Sequence, residues 1–251
     1  MGDAMSKTEC VLVTGGSTGI GASICAEFLE QGMQVINLAR RPLELENTEW
    51  QSRLHNVSVD LTDRAATQAV AEQVAKDFHI TRFVHNAGVI KANLIEDVAL
   101  DELDYVSNIH LAATIILTQA VLPAMKESGF GRIVLITSRA ALGLQTRSVY
   151  SATKSGMMGM ARTWALELGQ YGITVNTVAP GPIAATEMFH DVIPENSEKM
   201  TQLAASIPVQ RTGFPGDVSR AVSFFADEKN SFVTGQTLFV CGGSSLGSLS
   251  L

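Results

Sequence analysis

The chain has 251 residues, 46% of them hydrophobic, enough for a large buried core. With 18 Lys+Arg against 25 Asp+Glu, a formal net charge of −7 and no basic cluster larger than Arg40-Arg41, it lacks the basic stripe that nucleic acid requires. Cys10, Cys25 and Cys241 are odd in number, far apart and without a CxxC pair, which argues against a disulfide framework or zinc site and fits a reducing compartment.

The start, Met1 to Glu9, is polar and unlike an export signal, so a cytoplasmic location is expected. Met1 to Ser6 matches a loose myristoylation pattern at three fixed positions, a match that chance often supplies. A β-rich run, Cys10 to Thr14, leads into Thr14-Gly15-Gly16-Ser17-Thr18-Gly19-Ile20-Gly21 and a helix over 19–31 that Gly32 ends. Glycines there allow a tight turn and close backbone approach, and a helix N-terminus offers N–H groups to a pyrophosphate, so this is read as a dinucleotide loop. The second run, Gln34 to Leu38, ends at Ala39, Arg40 and Arg41. An NAD-preferring site commonly carries an acidic residue there, whereas a guanidinium fits a 2′-phosphate, so NADP(H) is expected over NAD(H).

Further runs follow at Asn56–Val59, Arg82–His85, Arg132–Thr137, Ile173–Val178 and Gln236–Val240, alternating with helical patterns at 63–78, 101–127, 151–169 and 216–227. Several runs are apolar throughout, as in strands covered on both faces. The pattern predicts an α/β fold: one doubly wound, Rossmann-like parallel sheet of about seven strands in a single domain over 1–251, with ligands at the strands' carboxyl ends. Leu111 to Leu122, about 12 apolar residues, falls short of the roughly 20 needed to span a bilayer and is read as a buried helix, with no membrane partner.

Tyr150 and Lys154 are four apart on a helix and share a face, and Ser138 ends the fifth strand. A free phenol, with a pKa of about 10, is a poor base at neutral pH. An ammonium about 4 Å away is worth up to roughly 4 kcal/mol, which is expected to bring the phenol toward working pH. The three residues read as a proton-transfer site.

With these motifs in order, the chain resembles the short-chain dehydrogenase/reductase family over nearly its whole length. The resemblance rests on the TGGSTGIG loop from Thr14 to Gly21, on Asn86-Ala87-Gly88, Ser138 and YSATK, and on Asn176 to Gly181 and Thr234-Gly235-Gln236…Cys241-Gly242-Gly243. It implies that Tyr150 is the general acid/base, that Ser138 holds the substrate oxygen, and that Lys154 binds the nicotinamide ribose and lowers the tyrosine pKa. It further implies that Asn86, Ala87 and Gly88 support the cofactor, that Asp60 and Leu61 meet the adenine, and that Pro180, Gly181 and Ile183 hold the carboxamide side. Thr186 would contact the nicotinamide amide, with Ala184-Ala185 making that spacing one residue longer than expected. Gly15, Ser17, Thr18, Gly19, Ile20 and Gly21 would be the loop contacts.

Two positions depart from the family pattern. His110 stands where an asparagine is usual, and Asn108, two residues or about 200° away, points to the opposite side. His110 is expected to take over the asparagine's part in a proton relay, active when neutral and able to change charge in the working range. Cys241 replaces an aspartate and is read as packing. His55 and His79 read as surface or loop-edge residues, His85 as a strand residue, and none joins His190 in a metal site.

Ala184 to Pro208 reads as an insertion covering the substrate, with an apolar lid from Ile183, Met188, Phe189, Val192, Ile193, Leu203 and Ile207, which suits an uncharged or largely apolar carbonyl or alcohol. Ile115, Ile116, Met157, Met160 and Trp164 look like surplus apolar surface, and the resemblance implies a homotetramer. The function expected is NADP(H)-dependent interconversion of a secondary alcohol and a ketone. A 3-oxoacyl thioester reductase serving acyl-carrier protein ranks second, because Glu127-Ser128-Gly129 and Gln170-Tyr171 supply no basic docking residues. A non-catalytic NADP(H)-sensing protein is disfavoured by the intact Ser138, Tyr150 and Lys154.

Overall fold

Seven parallel strands build one sheet in the order β3-β2-β1-β4-β5-β6-β7. They are β1 (Glu9–Thr14), β2 (Gln34–Ala39), β3 (Leu54–Ser58), β4 (His79–His85), β5 (Gly131–Ile136), β6 (Ile173–Pro180) and β7 (Thr237–Val240). The computed structural model describes residues 9–184, 186 and 197–246. The helices are α1 (Gly19–Glu30), α2 (Thr48–Gln51), α3 (Arg64–Asp77), α4 (Leu100–Ser107), α5 (Ala113–Ser128), α6 (Ser148–Leu168), α7 (Glu198–Ser206) and α8 (Pro215–Ala226).

Strand alternation sorts the core into two layers. Leu12, Ile36, Phe83, Ile133 and Val175 face Ala71 and Val74 of α3, Leu117 and Val121 of α5, and Met157 and Ala161 of α6. Their neighbours Val11, Val13, Val35, Val84 and Val134 face Ile24 and Phe28 of α1 and Val218, Val222 and Phe225 of α8. Both faces are covered, which is why the strands read as continuous apolar runs. Strand order reverses between β1 and β4, so a crevice opens at their carboxyl ends.

All seven expected strands form, and Gly172 takes the left-handed φ of +71° that ends its helix as expected. The expected helix at 101–127 is interrupted: α4 and α5 are joined by a π-helical turn, Asn108–Ala112, in which the Ala113 N–H bonds the Asn108 carbonyl five residues back. Leu100–Ser128 as a whole is long and apolar enough for a bilayer by length and composition, with a mean hydropathy of 1.4 over its best 18 residues. Its apolar character has a packing cause, because Ala113, Leu117, Val121 and Met125 are buried against the sheet. Two short helices were not expected: α2, capped by Asn47, and α7, capped by Ser197, whose hydroxyl accepts from the Met200 N–H.

Candidate active site

The glycine loop is held from both sides. Gly15 donates to the Leu38 carbonyl at 2.9 Å, Gly16 donates to Asn37 Oδ1 at 2.9 Å, and the Ser17 hydroxyl donates to the Arg41 carbonyl. A Cβ at Gly21 would lie 2.0 Å from the Gly15 carbonyl oxygen, so only glycine fits there. Asn86 Nδ2 donates to the Thr14 and Gly15 carbonyls at 3.1 and 2.9 Å, tying β4 to the loop. Thr18, the N-cap of α1, makes no side-chain cap bond, which leaves first-turn N–H groups turned to the crevice. Thr186 packs on this loop, since a Cβ at Gly19 would come within 3.1 Å of its Cγ2. The extra residue in the spacing therefore does not remove it from the site.

A cleft of about 510 Å³ runs along the strand ends. Arg40 and Arg41 line one end with Asp60 and Leu61; Gly15, Ser17, Thr18, Gly19, Ile20 and Gly21 line its middle. Asn86, Ala87 and Gly88 form the floor, and Pro180, Gly181, Ile183 and Thr186 border Ser138, Tyr150 and Lys154. His110 does not reach the cleft.

Ser138 follows β5, and its hydroxyl accepts from the Ala140 N–H at 3.1 Å. Burial raises the Tyr150 pKa, and the nearby Ser138 hydroxyl and the Arg147 charge lower it only in part. The Lys154 ammonium donates to the Ile136 carbonyl at 2.8 Å and lies 5.8 Å from the Tyr150 ring centre. Burial pushes its pKa down to about 7. In the ligand-free site burial outweighs the groups that lower the phenol pKa, and the Lys154 ammonium, expected to bring it toward neutrality, is turned to the β5 backbone.

His110 is wholly buried in the π turn, beneath the cleft floor. The Val89 N–H donates to its Nε2 at 3.2 Å, which assigns the proton to Nδ1, 2.8 Å from the Thr153 hydroxyl. A Cβ at Gly88 would come within 3.0 Å of His110 Nε2 and 3.3 Å of Lys154 Nζ, so the three groups meet there. Burial, then the Lys154 charge, holds the imidazole pKa far below its ordinary value. The expected change of charge in the working range is thus corrected: His110 stays neutral throughout it. Asn108 faces away as expected, accepting from Arg64 Nε at 2.8 Å.

His85, expected to be an ordinary strand residue, is a member of the same buried network. Thr14 Oγ1 accepts from the Asn86 and Ala87 N–H groups and so turns its own hydrogen to His85 Nδ1, 3.1 Å away. His85 Nε2 then donates to the Ile109 carbonyl at 3.1 Å. Burial, then Lys154, pushes its pKa down to about 3. The available signal was a polar ring ending an apolar strand directly before Asn86-Ala87-Gly88.

Cys241 packs where expected, so close to Gly181 that a Cβ on the glycine would lie 2.7 Å from its own. His55 is half-buried against Gln34, and His79 bonds Ser128 at the edge of β4. Among the described residues no group of histidine, cysteine and acidic side chains could hold a metal ion. His190, Met188, Phe189, Val192 and Ile193 lie outside the described residues.

The family model for short chain dehydrogenases matches residues 9–197. The chain belongs to the short-chain dehydrogenase/reductase family. It is similar to the BbsD subunit of (2S)-[(R)-hydroxy(phenyl)methyl]succinyl-CoA dehydrogenase of Thauera aromatica, 38% identical over 96% of this chain and 98% of that one. It is also similar to the 3-oxoacyl-[acyl-carrier-protein] reductase of Salmonella typhimurium, 32% identical over 94% and 96% of the two chains. Among solved structures, a candidate NAD(P)-dependent gluconate 5-dehydrogenase of Beutenbergia cavernae with bound NADP superposes with a TM-score of 0.87 at 31% identity, over 95% and 97% of the chains. Short-chain dehydrogenases/reductases are NAD(P)-dependent oxidoreductases acting on alcohol and ketone groups, and this chain is one of them.

Proposed function

We propose that the protein interconverts a secondary alcohol and a ketone with NADP(H), through Ser138, Tyr150 and Lys154. The observation that carries the reading is their convergence at one end of a cleft whose other end holds Arg40 and Arg41. The dinucleotide fits the residues present: Gly15 and Gly21 let the loop fold tightly against Ala87 and Asn86 at the cleft, the first turn of α1 offers N–H groups, and Arg40 and Arg41 suit a 2′-phosphate.

When bound, NADP(H) supplies or accepts the hydride. Ser138 holds the substrate oxygen, and Tyr150 gives that oxygen a proton in reduction and removes it in oxidation. Lys154 holds the ribose and favours the phenolate, while His110 and His85 fix the floor beneath it. Asp60 and Leu61 border the adenine, and Pro180, Gly181, Ile183 and Thr186 border the nicotinamide. The protein is a single catalytic domain and works as a cytoplasmic homotetramer.

A second reading specifies the substrate as a 3-oxoacyl or 3-hydroxyacyl thioester. It is supported by relatives named for thioester chemistry: the BbsD subunit, the acyl-carrier-protein reductase, and an acetoacetyl-CoA reductase of Acinetobacter that is 32% identical. The test is NADPH and NADH oxidation against ketones, aldehydes, acetoacetyl-CoA and acetoacetyl acyl-carrier protein. The proposal expects turnover with a higher kcat/KM for NADPH. A clear NADH preference would overturn the role given to Arg40 and Arg41, and turnover of simple ketones but neither thioester would overturn the second reading.

A further inference from the structure

Two arginines line the catalytic end of the cleft, and neither is used by the chemistry above. Arg139 follows Ser138, and Arg147 stands three residues before Tyr150; both are half-buried. Beside Ser138, Tyr150 and Lys154, the walls at this end carry Val89, Ile90, Tyr105, Leu144 and Leu203. Asp60, at the adenine end, is the one carboxylate among the described lining residues. Among the described residues no ion pair holds either arginine. Arg139 spends one N–H on the Ser244 carbonyl at 3.3 Å, and Arg147 Nη1 donates to Thr146 Oγ1 at 2.7 Å and to the Thr146 carbonyl at 3.3 Å. A guanidinium has five N–H donors, so most of each fork is left for a ligand.

The backbone that presents Arg147 is strained. Thr146 is a non-glycine residue with a φ of +66°, in the left-handed region that a β-branched side chain rarely enters. The conformation is held because the Thr146 carbonyl accepts from the Asn93 N–H at 3.1 Å and Asn93 pairs with Arg147 in an isolated β-bridge. Its consequence is to place the Thr146 hydroxyl as acceptor for the guanidinium, while that hydroxyl donates to the Gln145 carbonyl at 2.6 Å. The Arg147 charge faces the reacting end closely enough to act on the Tyr150 phenol.

We propose that Arg147, assisted by Arg139, binds an anionic group carried by the substrate, so that the substrate is a ketone or secondary alcohol with a largely apolar body and one carboxylate near the reacting carbon. This rests on the oxidoreductase reading of the same site. In a half-buried setting, a charge-assisted pair between guanidinium and carboxylate is stronger than a neutral hydrogen bond and directional. It would set which face of the carbonyl meets the cofactor.

The test uses two aryl ketones that differ in one charge, 4-oxo-4-phenylbutanoate and its methyl ester. Each is assayed by NADPH oxidation and titrated calorimetrically into the NADP⁺-saturated enzyme. The acid is expected to exceed the ester in kcat/KM and in affinity by on the order of 10- to 100-fold. Arg147→Gln should bring that ratio toward one chiefly through KM, Arg147→Lys should restore part of it, and Arg139→Gln should lower it less. Retained NADPH binding shows that each variant is folded.

Any general effect of Arg147 on Tyr150 lowers both substrates together and leaves the ratio unchanged. An acid that neither binds nor reacts better than the ester overturns the proposal, as does a ratio that both glutamine variants preserve. Ester turnover without an acid preference sinks the anion site alone and leaves the oxidoreductase reading standing. Acid binding that depends on Arg147 without turnover of either ketone supports the anion site and counts against the ketone chemistry.

Discussion

Lys154 holds its ammonium in a buried position where the Ile136 carbonyl is its hydrogen-bond acceptor, and the result is a pKa near 7 in place of the ordinary 10.5. Between those two values the unfolded chain binds a proton that the folded chain does not, so raising the pH through that window favours the folded state. Lys154→Met should therefore be more resistant to urea than the parent, with an advantage that is greatest at pH 7 and below and shrinks toward pH 10. Equal urea midpoints at pH 7 would show that the buried charge is relieved in some other way. The same burial keeps the Tyr150 phenol protonated in the ligand-free protein, ready to act as an acid toward a bound ketone. Tyr150→Phe keeps the packed ring and removes the proton. Turnover should fall by about 10²–10⁴, the usual contribution of a general acid or base, with NADPH affinity largely kept. Near-normal turnover in that variant would remove Tyr150 from the mechanism.

The π turn is where β4 and the α4–α5 segment act on each other. His85 ends β4 and reaches the Ile109 carbonyl, and His110 in the turn receives the Val89 N–H from the segment after β4, so two neutral imidazoles pin the cleft floor. Both are held far below the ordinary histidine pKa, His85 at about 3. Each depressed pKa contributes stability that is fully present above pH 6.5 and is lost as the pH falls toward the folded value, by up to about 1.4 kcal/mol per pH unit per histidine. Urea midpoints should therefore decline between pH 6.5 and 4.5, and the double variant His85→Asn/His110→Asn should decline less steeply. A parent whose midpoint is flat over that range would contradict the neutral, buried assignment. The sequence pattern shows α4 and α5 as one continuous helix because a π turn inserts a single residue and leaves the apolar spacing almost intact. What selects the turn is tertiary: its partners lie at Arg64, His85, Val89 and Thr153, none of them in the helix. The glycine loop, by contrast, was legible because each glycine answers a local demand, as at Gly21 against the Gly15 carbonyl. The distance from Lys154 to Tyr150 was not legible, since an i, i+4 spacing fixes the face but not the rotamer that turns the ammonium to Ile136.

At the scale of the molecule, the outer surface carries apolar side chains that neither core layer uses. Of the residues expected to form this surplus, Met157 is wholly buried, and Ile116 and Trp164 pack partly against the core. Ile115 is exposed as expected, and Leu100 and Leu103, which were not expected, join it along α4 and α5, with Leu100 79% exposed. A second group gathers where β7 ends the sheet: Leu238 on that strand, Phe232 in the turn before it, and Leu166, 87% exposed, on α6 beside the Ala165 that meets Gly235. An open sheet edge flanked by apolar side chains favours association, and two separate patches can each form a self-complementary twofold contact. Two such contacts on one chain close into a tetramer with perpendicular twofold axes. Sedimentation velocity at micromolar concentration should show that tetramer for the parent. Leu100→Glu/Ile115→Glu should leave dimers held through the β7 side, Leu166→Glu/Phe232→Glu should leave dimers held through α4 and α5, and the four substitutions together should give monomers. A parent that sediments as a monomer would overturn the assembly. Monomers from either pair of substitutions alone would show instead that the two contacts do not form independently.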